Sequence, residues 1–392
     1  MRRALLAVTA ATLLMTGTAR ADSGQAATTS ATTPPVAQAA PALRAPTGGQ
    51  PVGMTTVHLK DQDRADPWVP GERRELMVSV WYPAKKPSRV PAPYMTAEES
   101  RRYVEANRAV VPKEVPSEVL TTVVTHATVG AEPVTPRGGL PLVVLSPGFG
   151  MPRATLTGLA EELASRGYVV AGIGHNHEAA GTTFPDGRTT SCTPCGNPDF
   201  PRVGAVRAQD VSFVLDELTG RHPKWKGGRH IDTGRIAMVG HSAGGFGAIP
   251  TMLGDPRIKA GVNMDGNFRF PNDVPLDRPF LMLGKPGHVP GGPDRTWDET
   301  WTELTGWKRW LTIDGTEHTS FGDMASIGEQ LGIRLQPLDG DRCDALLRAY
   351  VTAFADTHLQ GRPAALLDGP SKSHPEVRFH DGPRAEPGTG RP

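Results

Sequence analysis

The pentapeptide Gly240-His241-Ser242-Ala243-Gly244 sets a serine between two glycines. Such a motif arises by chance, so its flanks decide its meaning. Residues 235–239 before it are apolar and strand-like, and residues 243–253 after it are helix-like. A strand–turn–helix of this kind, with glycines that let the two elements approach, strains the serine backbone and projects its hydroxyl. Ser242 is therefore the candidate nucleophile. A serine hydroxyl is a weak nucleophile at neutral pH, so it needs a basic imidazole, which in turn needs an orienting carboxylate.

The chain order that accompanies this turn is serine, acid, histidine. The histidines far enough beyond Ser242 are His288, His318, His358 and the pair His374/His380. His318 follows the strand-like residues 310–313 within Gly315-Thr-Glu-His318-Thr-Ser-Phe-Gly-Asp323, a loop from which an imidazole can reach Ser242. It is the candidate base. His288, also on a loop after a strand, competes with it and reads as a pocket or surface residue. His358 falls in a helix-like stretch, and His374 and His380 in a polar tail. Asp265 ends the strand-like residues 260–264 and is the candidate acid. The commoner slot, one strand later, reads Gly284-Lys-Pro-Gly-His288 and holds no carboxylate before Asp294. The tetrahedral intermediate needs two N–H donors. Ala243 supplies one, and Phe149, in the loop Ser146-Pro-Gly-Phe-Gly150, supplies the other.

Other residues carry blander readings. Trp297, Trp301, Trp307 and Trp310 read as core or pocket wall. His175-Asn-His177 resembles half a metal site but lacks a partner cluster, and reads as pocket rim. No cofactor or metal is expected. Cys192 and Cys195 form either a small loop staple or a pair of which one member bonds Cys343.

The elements that must position these residues alternate between strand-like and helix-like. Residues 140–146, 168–173, 235–239, 260–264, 280–283 and 310–313 are apolar runs of the kind buried on both faces of a sheet. Residues 155–166, 206–218 and 345–359 have helical spacing. The expected fold is α/β: an α/β-hydrolase fold, with a doubly wound, mostly parallel sheet and helices on both faces. Residues 52–360 should form one domain, with insertions at about 84–137 and 175–202. Both insertions follow strands and so border a site at the carboxyl ends of the sheet. Residues 1–21, with Arg2, Arg3, an apolar run and Ala19-Arg20-Ala21, read as a secretory signal cleaved after Ala21. Residues 22–50 read as a disordered linker and 361–392 as a loosely ordered tail. Lys+Arg number 42 against 41 Asp+Glu, which gives no electrostatic reason to expect nucleic acid. No later segment is apolar enough to span a bilayer. A small-molecule or lipid ester is the expected partner, with transient lipid-interface contact and the oligomeric state left open.

These pieces together resemble a family. Val80-Trp-Tyr-Pro83, Leu145-Ser-Pro-Gly-Phe-Gly150, residues 207–218, Gly240-His-Ser-Ala-Gly-Gly245, Asn263-Met-Asp265 and residues 315–323 run in the order found in the plasma platelet-activating-factor acetylhydrolases (group VII phospholipases A2) and related secreted bacterial lipases. The resemblance implies a serine ester hydrolase, with the acid on the strand after the nucleophile helix, hence Asp265, and no metal in catalysis. It implies an ester with a short or truncated acyl group. Pro147 stands where the family usually carries histidine, so a phospholipid preference is not implied. Triacylglycerol or polyester hydrolysis by the same triad, and a non-catalytic binding protein that kept the fold, are the rival expectations.

Overall fold

The computed structural model describes residues 40–269 and 274–383. The expected signal segment, residues 1–21, and most of the expected linker lie outside the described residues. The chain builds a ten-stranded sheet of spatial order β12-β11-β10-β9-β8-β4-β5-β2-β1-β3 and a separate two-stranded ribbon, β6-β7. The strands are β1 (Val52–Ala65), β2 (Arg73–Pro83), β3 (Thr128–Val129), β4 (Leu140–Ser146), β5 (Val169–His175), β6 (Thr182–Thr183) and β7 (Thr189–Thr190). They continue with β8 (Ile231–His241), β9 (Ile258–Met264), β10 (Phe280–Gly284), β11 (Lys308–Ile313) and β12 (Val377–His380). From β5 through β4, β8, β9 and β10 to β11 every neighbour is parallel. Antiparallel pairing begins at β2 on one side and at β12 on the other.

Alternation along the central strands assigns their side chains to two cores. Val143, Leu145, Ala237 and Val239 face one core, closed by the helices α2 (Thr157–Ser165) and α8 (Gly340–Gln360). Leu142, Val144, Ile236 and Met238 face the other, closed by α3 (Phe200–Thr219), α4 (Ala243–Phe246), α5 (Ala248–Gly254) and α6 (Thr296–Glu303). Burying each such aliphatic side chain stabilises by about 1.5–3 kcal/mol, so the doubly covered sheet is the rigid base for the loops at its carboxyl edge. Trp297 and Trp310 are fully buried in the second core.

The insertion after β2 carries α1 (Ala97–Ala106), started by a capping box between Thr96 and Glu99. It folds onto α7 (Met324–Gln330), which follows His318, and the two enclose a third apolar core including Val104, Leu120, Met324 and Ile327.

Two expectations at the domain edges need correction. Residues 40–50 are packed against the domain: Leu43 is buried and donates its N–H to Val124 O at 2.9 Å, and Thr47 N–H donates to Glu162 at 2.8 Å. The tail is also built in as far as residue 383. β12 pairs with β11, putting Val377 and Phe379 against the first core, because its short apolar alternation completes an otherwise open sheet edge.

Candidate active site

The turn at Ser242 is set by close approach. A Cβ on Gly244 would lie 2.0 Å from Ser146 O, and one on Gly240 would lie 2.1 Å from the Gly244 backbone. Only glycine lets α4 leave β8 this close to β4. Ser242, between them, has φ 53° and ψ −115°, a conformation L-residues rarely adopt. Its N–H donates to Met264 O at 2.9 Å, which ties the turn to the end of β9.

Three sequence-predicted residues meet here. Ser242 Oγ lies 2.8 Å from His318 Nε2. His318 Nδ1 lies 2.6 Å from Asp265 Oδ2. Asp265 is fully buried and also has positive φ, 59°. Its carboxylate accepts the Lys285 backbone N–H at 2.8 Å on Oδ1. Burial alone would raise its pKa, but hydrogen bonds from His288 and His318 hold it well below the usual carboxylate range. The His318 side chain is 47% exposed, so its ring faces the cleft.

The loop from Pro147 to Gly150 faces Ser242 across that cleft. Among the described residues neither Phe149 N–H nor Ala243 N–H donates to another protein group. The loop is held from behind. Arg207 Nη1 donates to Pro147 O at 2.5 Å and to Ser146 Oγ at 3.2 Å, and Arg207 Nε donates to Glu178 Oε2 at 2.8 Å. Gly150 N–H donates to Glu178 O, and Ala180 N–H returns to Gly150 O.

His175 belongs to this support and not to the pocket rim. It is buried, with Nε2 2.9 Å from Ser146 Oγ and Nδ1 2.8 Å from Asp210 Oδ2. Asp210 also accepts a bidentate pair from buried Arg74 at 3.0 and 2.6 Å. Burial, then the Arg207 charge, lowers the His175 pKa below the usual histidine value. Sequence reasoning missed these roles. Their one visible signal was the Arg207–Asp210 stretch within a helical segment, where two charges fall on positions that a half-buried helix should fill with apolar residues.

His288 lines a cavity, as the pocket reading expects, but its ring is buried and bonded to Asp265, Nδ1 lying 2.7 Å from Asp265 Oδ1. Asp294, the rival acid, sits behind His288. His358 packs on Trp307 and Phe354 in α8, and His380 Nε2 pairs with Thr312 Oγ1 at 2.9 Å. Asp323, at the end of the base loop, accepts Gly158 N–H at 3.0 Å and Tyr94 O–H at 3.1 Å, which fastens that loop to α2.

The cleft above Ser242 encloses about 700 Å³. Its walls include Phe149, Met151, Tyr103, Asn107 and the Cys192–Cys195 disulfide. Cys343 is a free, buried thiol, which decides between the two cysteine readings in favour of the loop staple. No group of three or more His, Cys, Asp or Glu side chains suited to a metal ion occurs among the described residues.

A family model described as platelet-activating factor acetylhydrolase, isoform II, matches residues 42–191. A probable 1-alkyl-2-acetylglycerophosphocholine esterase of Arthroderma benhamiae is 30% identical over 62% of this chain and 67% of its own length. The chain belongs to the platelet-activating-factor acetylhydrolase family of α/β-hydrolases. The platelet-activating factor acetylhydrolase of Cavia porcellus is 24% identical over 56% of this chain and 57% of its own. The chain thus spans well under the full length of that relative. A solved ferulic acid esterase from Streptomyces cinnamoneus superimposes with a TM-score of 0.76, at 43% identity, covering 88% of this chain and 100% of that one. The doubly wound architecture and the ester-hydrolase expectation both hold: this family member is a carboxylic ester hydrolase. No helix among the described residues is long and apolar enough to cross a membrane.

Proposed function

We propose that this hydrolase works by acyl transfer through Ser242. Ser242 Oγ attacks the ester carbonyl carbon while His318 Nε2 takes its proton. Asp265 holds the imidazole tautomer and stabilises the imidazolium. Phe149 and Ala243 N–H groups receive the oxyanion, the leaving alkoxide takes the proton back from His318, and water repeats the sequence to free the acid. The observation that carries this reading is the continuous contact Ser242–His318–Asp265, at 2.8 and 2.6 Å, on a serine with positive φ. Labelling by a fluorophosphonate tests it: the adduct should map to Ser242 and vanish in Ser242→Ala, and undiminished ester turnover in that variant overturns the reading.

The shape of the cleft supports a substrate class. It continues past Tyr103, Asn107 and Thr319 into a smaller apolar recess of about 80 Å³ between α1 and α7, walled by Val104, Val111, Leu120 and Ile327. A compact apolar arm on an otherwise polar ester fits this shape, as in lipid-like esters with a short acyl group. The likeness to a feruloyl esterase favours a second reading, an aromatic ester, with the ring taking the recess. Turnover on acetyl-phospholipid, methyl ferulate, long triglyceride and polyester film separates these readings and the lipase and polyester alternatives. Export is supported by the leader-like residues 1–21 and by a disulfide, which persists in oxidising compartments. Contact with a lipid interface is supported by Val110, which is 57% exposed beside the recess. Activation at the critical micelle concentration checks it.

A further inference from the structure

The Asp265 carboxylate is shared between two imidazoles. Oδ2 meets His318 at 2.6 Å, and Oδ1 meets His288 at 2.7 Å. The reaction scheme uses the first and leaves the second without a task. His288 is also fixed on every other side. Its ring stacks on Trp297 at 4.3 Å and 12°, and its carbonyl accepts Trp310 Nε1–H at 2.9 Å. Its Nε2 faces Asp294 Oδ2 at 3.4 Å, and Asp294 is itself held by Thr296 through N–H and Oγ1–H at 3.1 and 2.6 Å. A residue that does no more than line a pocket is not built this way.

The proton count on this ring is constrained by its neighbours. Nδ1 must carry hydrogen to donate to Asp265. A neutral ring would then turn a bare Nε2 lone pair toward the Asp294 carboxylate. Only the doubly protonated ring sets positive charge against both carboxylates, as a hydrogen bond to Asp265 Oδ1 and an ion pair with Asp294 Oδ2 at 3.4 Å. Burial opposes that charge, but the hydrogen bond His288 donates to Asp265 and the nearby Asp294 carboxylate outweigh it and raise the His288 pKa. The other charges near the ring are already paired: Lys285 with Glu317 at 3.4 Å and Arg295 with Asp298 at 3.2 Å. A cavity of about 520 Å³, bounded by Asp265, His288, Asp294 and His318, gives the ring access to solvent protons.

We propose that His288 is a positioning residue that acts through Asp265: as an imidazolium bridging Asp265 and Asp294, it locks the acid with Oδ2 toward His318 and moderates the charge that His318 feels. Two consequences follow. Without the His288 donor, Oδ1 keeps only the Lys285 N–H, and the carboxylate can rotate away from His318. Without the cation, the full carboxylate charge falls on the His318 imidazole and favours its protonated form, so the unprotonated base is lost at higher pH. The inference rests on the triad reading given above.

The test compares three full-length variants on a short aryl ester across pH. His288→Phe removes donor and charge; kcat should fall about 10- to 100-fold with KM little changed. His288→Asn keeps one donor without charge; it should recover most of that kcat at pH 8 but move the acid limb of kcat/KM to higher pH. Asp294→Asn leaves the ring in place but removes the carboxylate that holds its second proton; it should move the acid limb the same way. Thermal unfolding of each variant identifies any that fails to fold, and His288→Asn and Asp294→Asn then carry the test. Unmoved acid limbs in both folded variants overturn the proposal, as does wild-type kcat in His288→Phe. Ser242→Ala separates the two readings: if it is inert while the His288 and Asp294 variants behave as wild type, the triad stands and this inference alone falls.

Discussion

Ser242 N–H donates to the carbonyl of Met264, the residue immediately before Asp265, at 2.9 Å. The proposed nucleophile and acid are thereby joined backbone to backbone at the ends of neighbouring strands, β8 and β9. Both residues have positive φ, so both strands end in a turn that lifts the side chain out of the sheet plane. The spacing between the two is a property of the sheet. The third partner, His318, comes from a separate loop, fastened through Asp323.

That arrangement sets the expected severity of three substitutions. Ser242→Ala and His318→Ala should each lower kcat by about 10⁵-fold or more, and Asp265→Asn by about 10⁴-fold. The first two should leave the unfolding midpoint within a few degrees of wild type, whereas Asp265→Asn, which removes a buried charge held by two histidines, should lower it. Single-turnover kinetics with a chromogenic acetate measure the first expectation. An Asp265→Asn enzyme with near-normal kcat would reassign the acid.

Arg207→Met attacks the oxyanion loop from below. The carbonyl of Pro147 and Oε2 of Glu178 both lose their donor, Oε1 keeping Trp68 Nε1–H. Removing one member of a buried pair typically costs about 3–5 kcal/mol, so the variant should unfold at clearly lower urea. In the fraction that remains folded, kcat should fall roughly 10- to 1000-fold with little change in KM, the signature of impaired transition-state donors. Chemical denaturation and steady-state kinetics on the same preparation check both.

Acid should destabilise the fold before the carboxylates titrate. Burial, then the neighbouring His318, lowers the His241 pKa to about 4, against about 6.5 in an unfolded chain. Its neutral Nε2–H donates to His318 O at 2.8 Å. Because the folded state binds this proton less readily, stability is full above pH 6.5 and declines as pH falls toward 4. The loss is about 3 kcal/mol for a shift of this size. Urea midpoints between pH 7 and pH 4.5 should fall steeply in wild type and less so in His241→Asn. Parallel curves would refute the assignment.

Reduction should affect the cleft more than the fold. Cys192 and Cys195 are three residues apart, so their bond constrains little of the unfolded chain, about 2 kcal/mol or less. It does hold the cleft wall beside Gly150 and Ala180. The Cys192→Ser/Cys195→Ser enzyme should keep its far-ultraviolet dichroism and most of its unfolding temperature while KM rises for bulky esters. Equal KM across the ester series would show that the wall needs no staple.

The nucleophile turn was legible because its requirements are local: two glycines, one strand and one helix within some fifteen residues. Asp265 was legible because a carboxylate at the end of an apolar run marks a strand terminus. The tie between His175 and Asp210 spans 35 residues and that between Arg74 and Asp210 spans 136. No periodicity reports such contacts, and a histidine after a strand looks alike whether it lines a rim or props up a loop. The pocket position of His288 is legible but its partners are not, since they depend on which carboxylates the fold brings to its two nitrogens. β1 escaped notice because one side of it faces water, and its polar run Lys60-Asp-Gln-Asp-Arg64 resembles a turn. The β12 strand escaped because four residues between prolines and glycines read as tail until the open edge beside β11 is known.

The packing of α1 against α7 joins the part of the chain that shapes the recess to the part that leads directly out of the His318 loop. Remodelling the one therefore transmits to the other. Efforts to retarget this enzyme by enlarging Val104 or Ile327 should meet a trade-off in which broader acceptance arrives with a displaced imidazole, so that productive variants will need compensating changes on both sides of that seam.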